Sequence, residues 1–243
     1  MSIYSPFDQP SGLGRGYFLG ESPVPAEPEI KRAAVFVDGQ NLFYAVKRAF
    51  GYRHPNYAIA TLAETVCREQ GWQCTQTSFY TGIPEASDNA FWHRFWVAKL
   101  ATMGTRGVRV FSRHLRYRNQ TVVLPDGGEQ TVLVGQEKGI DIRIALDMVH
   151  AARSGDYDVL LVFSQDQDLS EVATEVRSIA AERKRWLKMA SAFPRSPTYT
   201  NKRGVDKTDW IPIQRSLYDQ CIDKTDYRRK RGGPQQGKAP RTG

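Results

Sequence analysis

Four aspartates, Asp38, Asp141, Asp166 and Asp168, sit where alternating apolar and amphipathic stretches of this chain meet, and together they form a set of hard oxygen ligands. Carboxylates crowded into one crevice repel one another, and a divalent cation such as Mg²⁺ or Mn²⁺ neutralises them more cheaply than several raised pKa values. An ion so held polarises a phosphate oxygen, acidifies a bound water and steadies the leaving oxygen, which hydrolyses a phosphodiester without a side-chain nucleophile. His54, His93, His114 and His150 lie far apart, and Cys67, Cys74 and Cys221 contain no C-x-x-C pair, so neither zinc nor a disulfide framework is indicated. Each aspartate also has a plainer role: Asp38 before Gly39 can be a turn residue, and Asp166 or Asp168 can cap the helix that starts near Leu169. Their arrival at two strand ends favours the metal reading. Asp147 lies six residues past Asp141. On a helix that is a rotation of about 120° and a rise of about 9 Å, so it reaches the rim of the site or bonds another element. Asp156 and Asp158 border a loop and read as solvated charges.

The elements that must position these acids are legible in outline. Ala33-Ala34-Val35-Phe36-Val37 is a continuously apolar run ending in Asp38-Gly39, as a strand buried on both faces of a parallel sheet should be. Helical spacing follows over 41–50 and 57–70, with Gly71 as a stop; then come a strand at 77–81, a helix at 87–103 begun by Ser87 or Asp88, and a strand at 108–118. Pro125-Asp126-Gly127-Gly128 between Thr121–Leu124 and Thr131–Val134 predicts a tight hairpin, an arm inserted into the alternation and a place for substrate contacts. An amphipathic helix over 141–153 follows, with Ile144, Ala145 or Leu146, Met148, Val149 and Ala152 near one face. A second all-apolar strand (158–164), a helix (169–183) and a last strand (186–193) complete the pattern. Such alternation builds a mostly parallel sheet with helices on both faces, and ligands bind at the carboxyl ends of its strands, where the aspartates are.

With 243 residues, 40% apolar, the chain can bury one substantial core. Residues 1–30, rich in proline and glycine, read as a flexible leader; 31–225 read as the folded domain; and 226–243, beginning near Tyr227-Arg228-Arg229-Lys230-Arg231, read as a disordered basic tail. The net charge of +8 invites a polyanion, and much of it lies in that tail, where phosphate attraction would be sequence-blind. No stretch approaches a membrane span and no basic-then-apolar leader is visible, so a cytoplasmic location without membrane attachment is expected. Arg113, Arg116, Tyr117 and Arg118 alternate basic with aromatic character on the strand entering the hairpin, which suits a single-stranded RNA backbone and a stacked base; a charged edge strand would look similar. Trp92 and Trp96, with Phe95 beside them, read as core or as a contact in a homo-oligomer rather than a platform for bases.

Three ordered motifs, Val37-Asp38-Gly39-Gln40-Asn41, Lys138-Gly139-Ile140-Asp141 through Asp147-Met148, and Ser164-Gln165-Asp166-Gln167-Asp168-Leu169, resemble the D-x-x-N, K-G-x-D and S-x-D-x-D signatures of the NYN domain family, within the PIN-like nucleases and closest in pattern to their LabA-like branch. The resemblance covers about residues 31–222. It implies a three-layer α/β/α PIN-like fold and Mg²⁺- or Mn²⁺-dependent ribonuclease activity. Carried over by position, Asp38, Asp141 and Asp166 would be metal ligands, Asp168 a ligand or water-positioning group, and Asn41 a polar anchor. Ser164 would shape its turn or touch phosphate, and Lys138 would meet the substrate. Gln165 and Gln167 depart from the small residues common there, and Leu169-Ser170 from the usual aromatic. A catalytically silent RNA-binding or protein-interaction module would keep the same fold, and a phosphatase of small phosphoesters would also suit an acidic site over a parallel sheet.

Overall fold

A computed structural model describes residues 25–125 and 127–227; most of the expected leader, and the tail from residue 228 onward, lie outside them. Six strands, β1 (Lys31–Asp38), β2 (Trp72–Ile83), β3 (Arg109–His114), β6 (Val159–Phe163), β7 (Lys188–Pro194) and β8 (Asp209–Ile213), form one sheet in the order β3-β2-β1-β6-β7-β8. Every neighbouring pair is parallel. The chain steps outward from β1 through β2 to β3, then returns to the other side of β1 and steps outward through β6 to β8. The direction of winding therefore reverses between β1 and β6, and the crevice beyond the carboxyl ends of those two strands is where this architecture binds ligands.

The apolar runs explain why β1 and β6 are central. Alternate residues serve opposite faces: Ala33, Val35, Val37, Val159, Leu161 and Phe163 join one core, and Ala34, Phe36, Leu160 and Val162 the other. The first core is covered by α1 (Gly39–Phe50), α2 (Ile59–Glu69), α3 (Ala90–Thr105) and α6 (Arg215–Gln220), the second by α4 (Ile140–Ser154) and α5 (Ser170–Glu182). The result is the expected three-layer α/β/α arrangement. Gly39 lets α1 start hard against the sheet, since a Cβ there would stand 2.5 Å from the Phe79 ring and 2.8 Å from the Tyr80 carbonyl oxygen. Among the described residues no helix is long and apolar enough to cross a membrane.

The arm is present and longer than its sequence signature. Strands β4 (Arg116–Val123) and β5 (Glu129–Gln136) pair antiparallel as a separate two-stranded sheet, with Thr121 opposite Thr131. Residues 108–118 are thus not one strand. Pairing with β2 ends at His114, opposite Ile83, and Leu115, whose N–H donates to the Ile83 carbonyl at 2.9 Å, is the joint at which the chain leaves the sheet.

Other expectations are corrected. Asn89, not Ser87 or Asp88, caps α3, its side chain accepting from Trp92 N at 3.1 Å. Ala145 rather than Leu146 packs on the second core, and Leu146 is exposed. Asp158 is buried, not solvated: Arg32 grips it through Nε at 3.0 Å and a terminal guanidinium nitrogen at 3.1 Å, the Arg32 backbone N–H adds a bond at 3.0 Å, and Arg185 stands at 3.2 Å. This clamp closes the amino ends of β1 and β6, away from the aspartate site. Tyr227, read from sequence with the tail, is buried against Phe95, and its hydroxyl donates to Asp223 at 2.6 Å.

Candidate active site

Asp38 is the last residue of β1 and the N-cap of α1, its Oδ1 accepting from Asn41 N at 3.0 Å. One strand over, Ser164 follows β6 and donates through Oγ to Asp38 Oδ2 at 3.5 Å, while the same Oγ accepts from Asp166 N at 3.1 Å. Asn41 Oδ1 takes the Gln165 N–H at 3.0 Å. The two strand ends are therefore laced together by one bond between side chains and one from a backbone N–H to a side chain. This lacing aims Asp38 and Asp166 into one cavity of about 370 Å³.

Asp141 reaches the same cavity from the first turn of α4, and Asn41 also lines it. Glu137 completes the acidic wall. Spacing gave no reason to single it out, because it stands just past the arm, beside the K-G-x-D motif but outside it. Its carboxylate accepts the Gly82 N–H, which ties the foot of the arm to the end of β2. Arg48 and Tyr44 from α1, with Tyr199 and Asn201 from the loop after β7, supply much of the remaining wall, and spacing gave no reason to single out Tyr44, Arg48 or Tyr199.

The electrostatics follow from this crowding. Burial pushes Asp38 up to about 6, with the Asp166 charge adding to the rise. Burial likewise pushes Glu137 up to about 7, helped by the charges of Asp38 and Asp141. Two carboxyl groups of raised proton affinity beside two further acidic side chains make a site short of positive charge. Among the described residues no three His, Cys, Asp or Glu side chains already converge closely enough to hold an ion. The set still suits Mg²⁺ or Mn²⁺, because such ions keep several waters and need only one or two carboxylates plus substrate oxygens, rather than a closed protein cage.

The other candidates fall in different places. Asp168 is exposed, one 3₁₀ turn behind Asp166, with its N–H donating to Asp166 Oδ1 at 3.1 Å, and it does not line the cavity. Ser164 is buried, with its hydroxyl bonded to Asp38 and Asp166, and it does not line the cavity. Asp147 is not at the rim: it accepts from Tyr80 Oη and Arg143 Nε, both at 2.9 Å, in a different cleft between α4 and β3. Lys138 is exposed, and its carbonyl accepts from Arg113 at 3.4 Å, while the Arg113 guanidinium lies 5.4 Å from the Phe111 ring. Arg116 and Arg118 are exposed on the arm, with Tyr117 half-buried between them.

Gln165 and Gln167 have a structural use. Gln165 Nε2 donates to the Arg203 carbonyl at 2.7 Å; Gln167 Nε2 donates to the Gly204 carbonyl at 2.9 Å, and its Oε1 accepts from Asp206 N at 3.1 Å. The two amides pin the loop that carries Asn201 into the cavity.

The family model of the NYN domain matches residues 32–185, which contain all three motifs. Among solved structures, the chain is similar to a protein of unknown function from Vibrio parahaemolyticus, at 18% identity and a TM-score of 0.45 over 75% of this chain and 93% of that one. It is also similar to ribokinase from Giardia lamblia, at 11% identity and a TM-score of 0.32 over 75% of this chain and 56% of that one. No curated protein matches the sequence. With more than half of its length matched, and with the ordered motifs meeting at the switch point of a parallel sheet, the chain belongs to the NYN domain family of PIN-like nuclease fold.

Proposed function

We propose that this protein is a metal-dependent endoribonuclease that hydrolyses RNA phosphodiester bonds in the acidic cavity. The observation that carries the reading is the meeting of Asp38, Glu137, Asp141 and Asp166 around one cavity, where burial and neighbouring acids raise the proton affinity of Asp38 and Glu137. That is an unfavourable arrangement for an empty site and a favourable one for a site that takes a divalent cation.

Asp38, with Asp141, Asp166 and Glu137 directly or through water, would hold Mg²⁺ or Mn²⁺. When bound, the ion supplies polarisation of the phosphate and acidification of water. The remaining work falls to the chain itself. Asn41 and Ser164 fix the two strand ends, so that Asp38 and Asp166 keep their separation through a turnover. Arg48, a cation on the same cavity wall, is placed to take a non-bridging phosphate oxygen. Arg116 and Arg118 on the arm, with Lys138 and Arg113 at its foot, offer sequence-blind attraction for the rest of the strand. Asp168 acts behind Asp166 as an outer positioning group. The basic residues of 226–243 would add to the same attraction.

The test is cleavage of a labelled single-stranded RNA and a DNA of the same sequence by the full chain with Mn²⁺, with Mg²⁺ and with chelator. The reading expects RNA to be cut in the presence of either metal and left intact with chelator. RNA that is bound but never cut with either metal would support the silent-module alternative.

A further inference from the structure

A second cavity, of about 310 Å³, adjoins the acidic one and shares Gln40, Tyr44 and Glu137 with it. Its other walls are aromatic and apolar: Phe43 from α1, Trp92 and Trp96 from α3, and Leu115 and Tyr117 from the foot of the arm. Of the tryptophans, expected from sequence as core or an oligomer contact, Trp96 does pack against the first core, and both are partly buried and line this hollow. They are held firmly from behind. Trp92 meets Phe95 edge-on with centroids 5.1 Å apart, and Trp96 meets Phe95 at 5.6 Å and Phe79 at 6.1 Å. On the opposite wall Gly135 lets the Tyr117 ring lie close, since a Cβ there would stand 2.9 Å from its Cε1.

We propose that this cavity is a nucleobase subsite, receiving a base of single-stranded RNA adjacent to the phosphodiester held at the carboxylates; the assignment rests on the nuclease reading above. The two cavities adjoin, with Gln40, Tyr44 and Glu137 lining both, so a strand whose phosphate lies against Asp38 and Asp166 has its neighbouring base beside the aromatic walls. Flat rings stack on aromatic side chains whatever the base, which supplies affinity with little sequence preference. Gln40 and Glu137 offer polar atoms to the base edge. On β4, successive side chains alternate, so Tyr117 turns to the cavity while Arg116 and Arg118 stay exposed for the backbone. A hollow enclosed by α1, α3 and the arm suits a single ring better than a helix about 10 Å across.

The experiment measures binding of the full chain, in chelator so that nothing is cut, to a labelled short single-stranded RNA and to an abasic ribose-phosphate oligomer of the same length. The subsite predicts that the RNA binds on the order of tenfold tighter or better. Trp92→Leu and Tyr117→Leu should each erase that preference while leaving affinity for the abasic oligomer unchanged. Tyr117 lies on the arm, outside the six-stranded sheet, so its variant keeps the test decisive if Trp92→Leu fails to fold. Equal affinity for the two oligomers, or an undiminished preference in the variants, would overturn the proposal. So would a concentration-dependent doubling of mass that Trp92→Leu abolishes, which would assign these walls to a second copy of the chain. Because no cleavage is read, loss of the nuclease reading and loss of the subsite are separable outcomes.

Discussion

The Ser164 hydroxyl lies 3.5 Å from Asp38 Oδ2 and 3.1 Å from the Asp166 backbone nitrogen, so one buried group couples the end of β1 to the turn after β6. Removing it frees the turn and unbinds a buried carboxylate, each bond being worth about 1 kcal/mol. Ser164→Ala should therefore lower RNA cleavage by about tenfold while the protein stays folded by circular dichroism. An unchanged rate would mean that the coupling has no part in placing Asp38 and Asp166.

Glu137 is the acidic residue that motif spacing did not reveal, and its proposed place in a cation site has its own test. Glu137→Gln keeps the shape and a bond acceptor for Gly82 N–H but removes the charge. Affinity for Mn²⁺, titrated calorimetrically, should fall by about tenfold or more, and the melting temperature of the metal-free protein should hold or rise. Undiminished Mn²⁺ affinity would remove Glu137 from the site.

The raised carboxyl groups predict a pH dependence with a definite sign. A carboxyl whose folded pKa lies above its unfolded value binds its proton more tightly in the fold, so its stabilising effect is present at low pH and lost as pH rises. With Asp38 near 6 and Glu137 near 7, the metal-free protein should lose stability between about pH 4 and 7. Added Mn²⁺ should oppose this, with a stabilisation that grows over the same interval. Melting curves at a series of pH values with and without metal decide it, and a metal effect that is flat with pH would contradict the assignment.

Asp158 carries the opposite sign. Burial alone would raise it, but its bonds to Arg32, with Arg185 adding charge, hold it below the ordinary carboxylate range. Its contribution is present above that range and lost as pH falls. Asp158→Asn should cost about 1 to 2 kcal/mol in denaturant unfolding at neutral pH, because it removes the charge that Arg32 and Arg185 share while both keep carbonyl acceptors. A change within about 0.5 kcal/mol would show the clamp to be dispensable.

Why some of this was visible in the sequence and some was not comes down to particular residues. The strands β1 and β6 announce themselves because burial on both faces demands unbroken apolar runs, and the motifs at their ends put Asp38, Asn41 and Asp166 on one cavity that Asp141 reaches from α4, while Asp168 stays outside it. Strand β8 was missed because it is short, half-exposed and contains Pro212, features that suit a sheet edge but carry no alternation. The joint at Leu115 was missed because the residues on both sides of it are mostly exposed, and only pairing with β2 distinguishes sheet from arm. Asp147 could not be placed by helical rotation alone, since the choice depended on Tyr80 being opposite it. Trp92 and Trp96 share a helical face in any reading, but that the face lines a cavity depends on where the arm folds back.

The most direct test of the central claim compares Asp38→Asn with the wild-type chain in Mn²⁺-dependent cleavage of single-stranded RNA, with RNA binding measured on the same samples in chelator. The account predicts that the wild type cuts only with metal, that the variant cuts on the order of a hundredfold more slowly or worse, and that the variant binds RNA at least as tightly once a buried negative charge is gone. Cleavage by the variant at the wild-type rate, or cleavage by the wild type that persists undiminished in chelator, would contradict it.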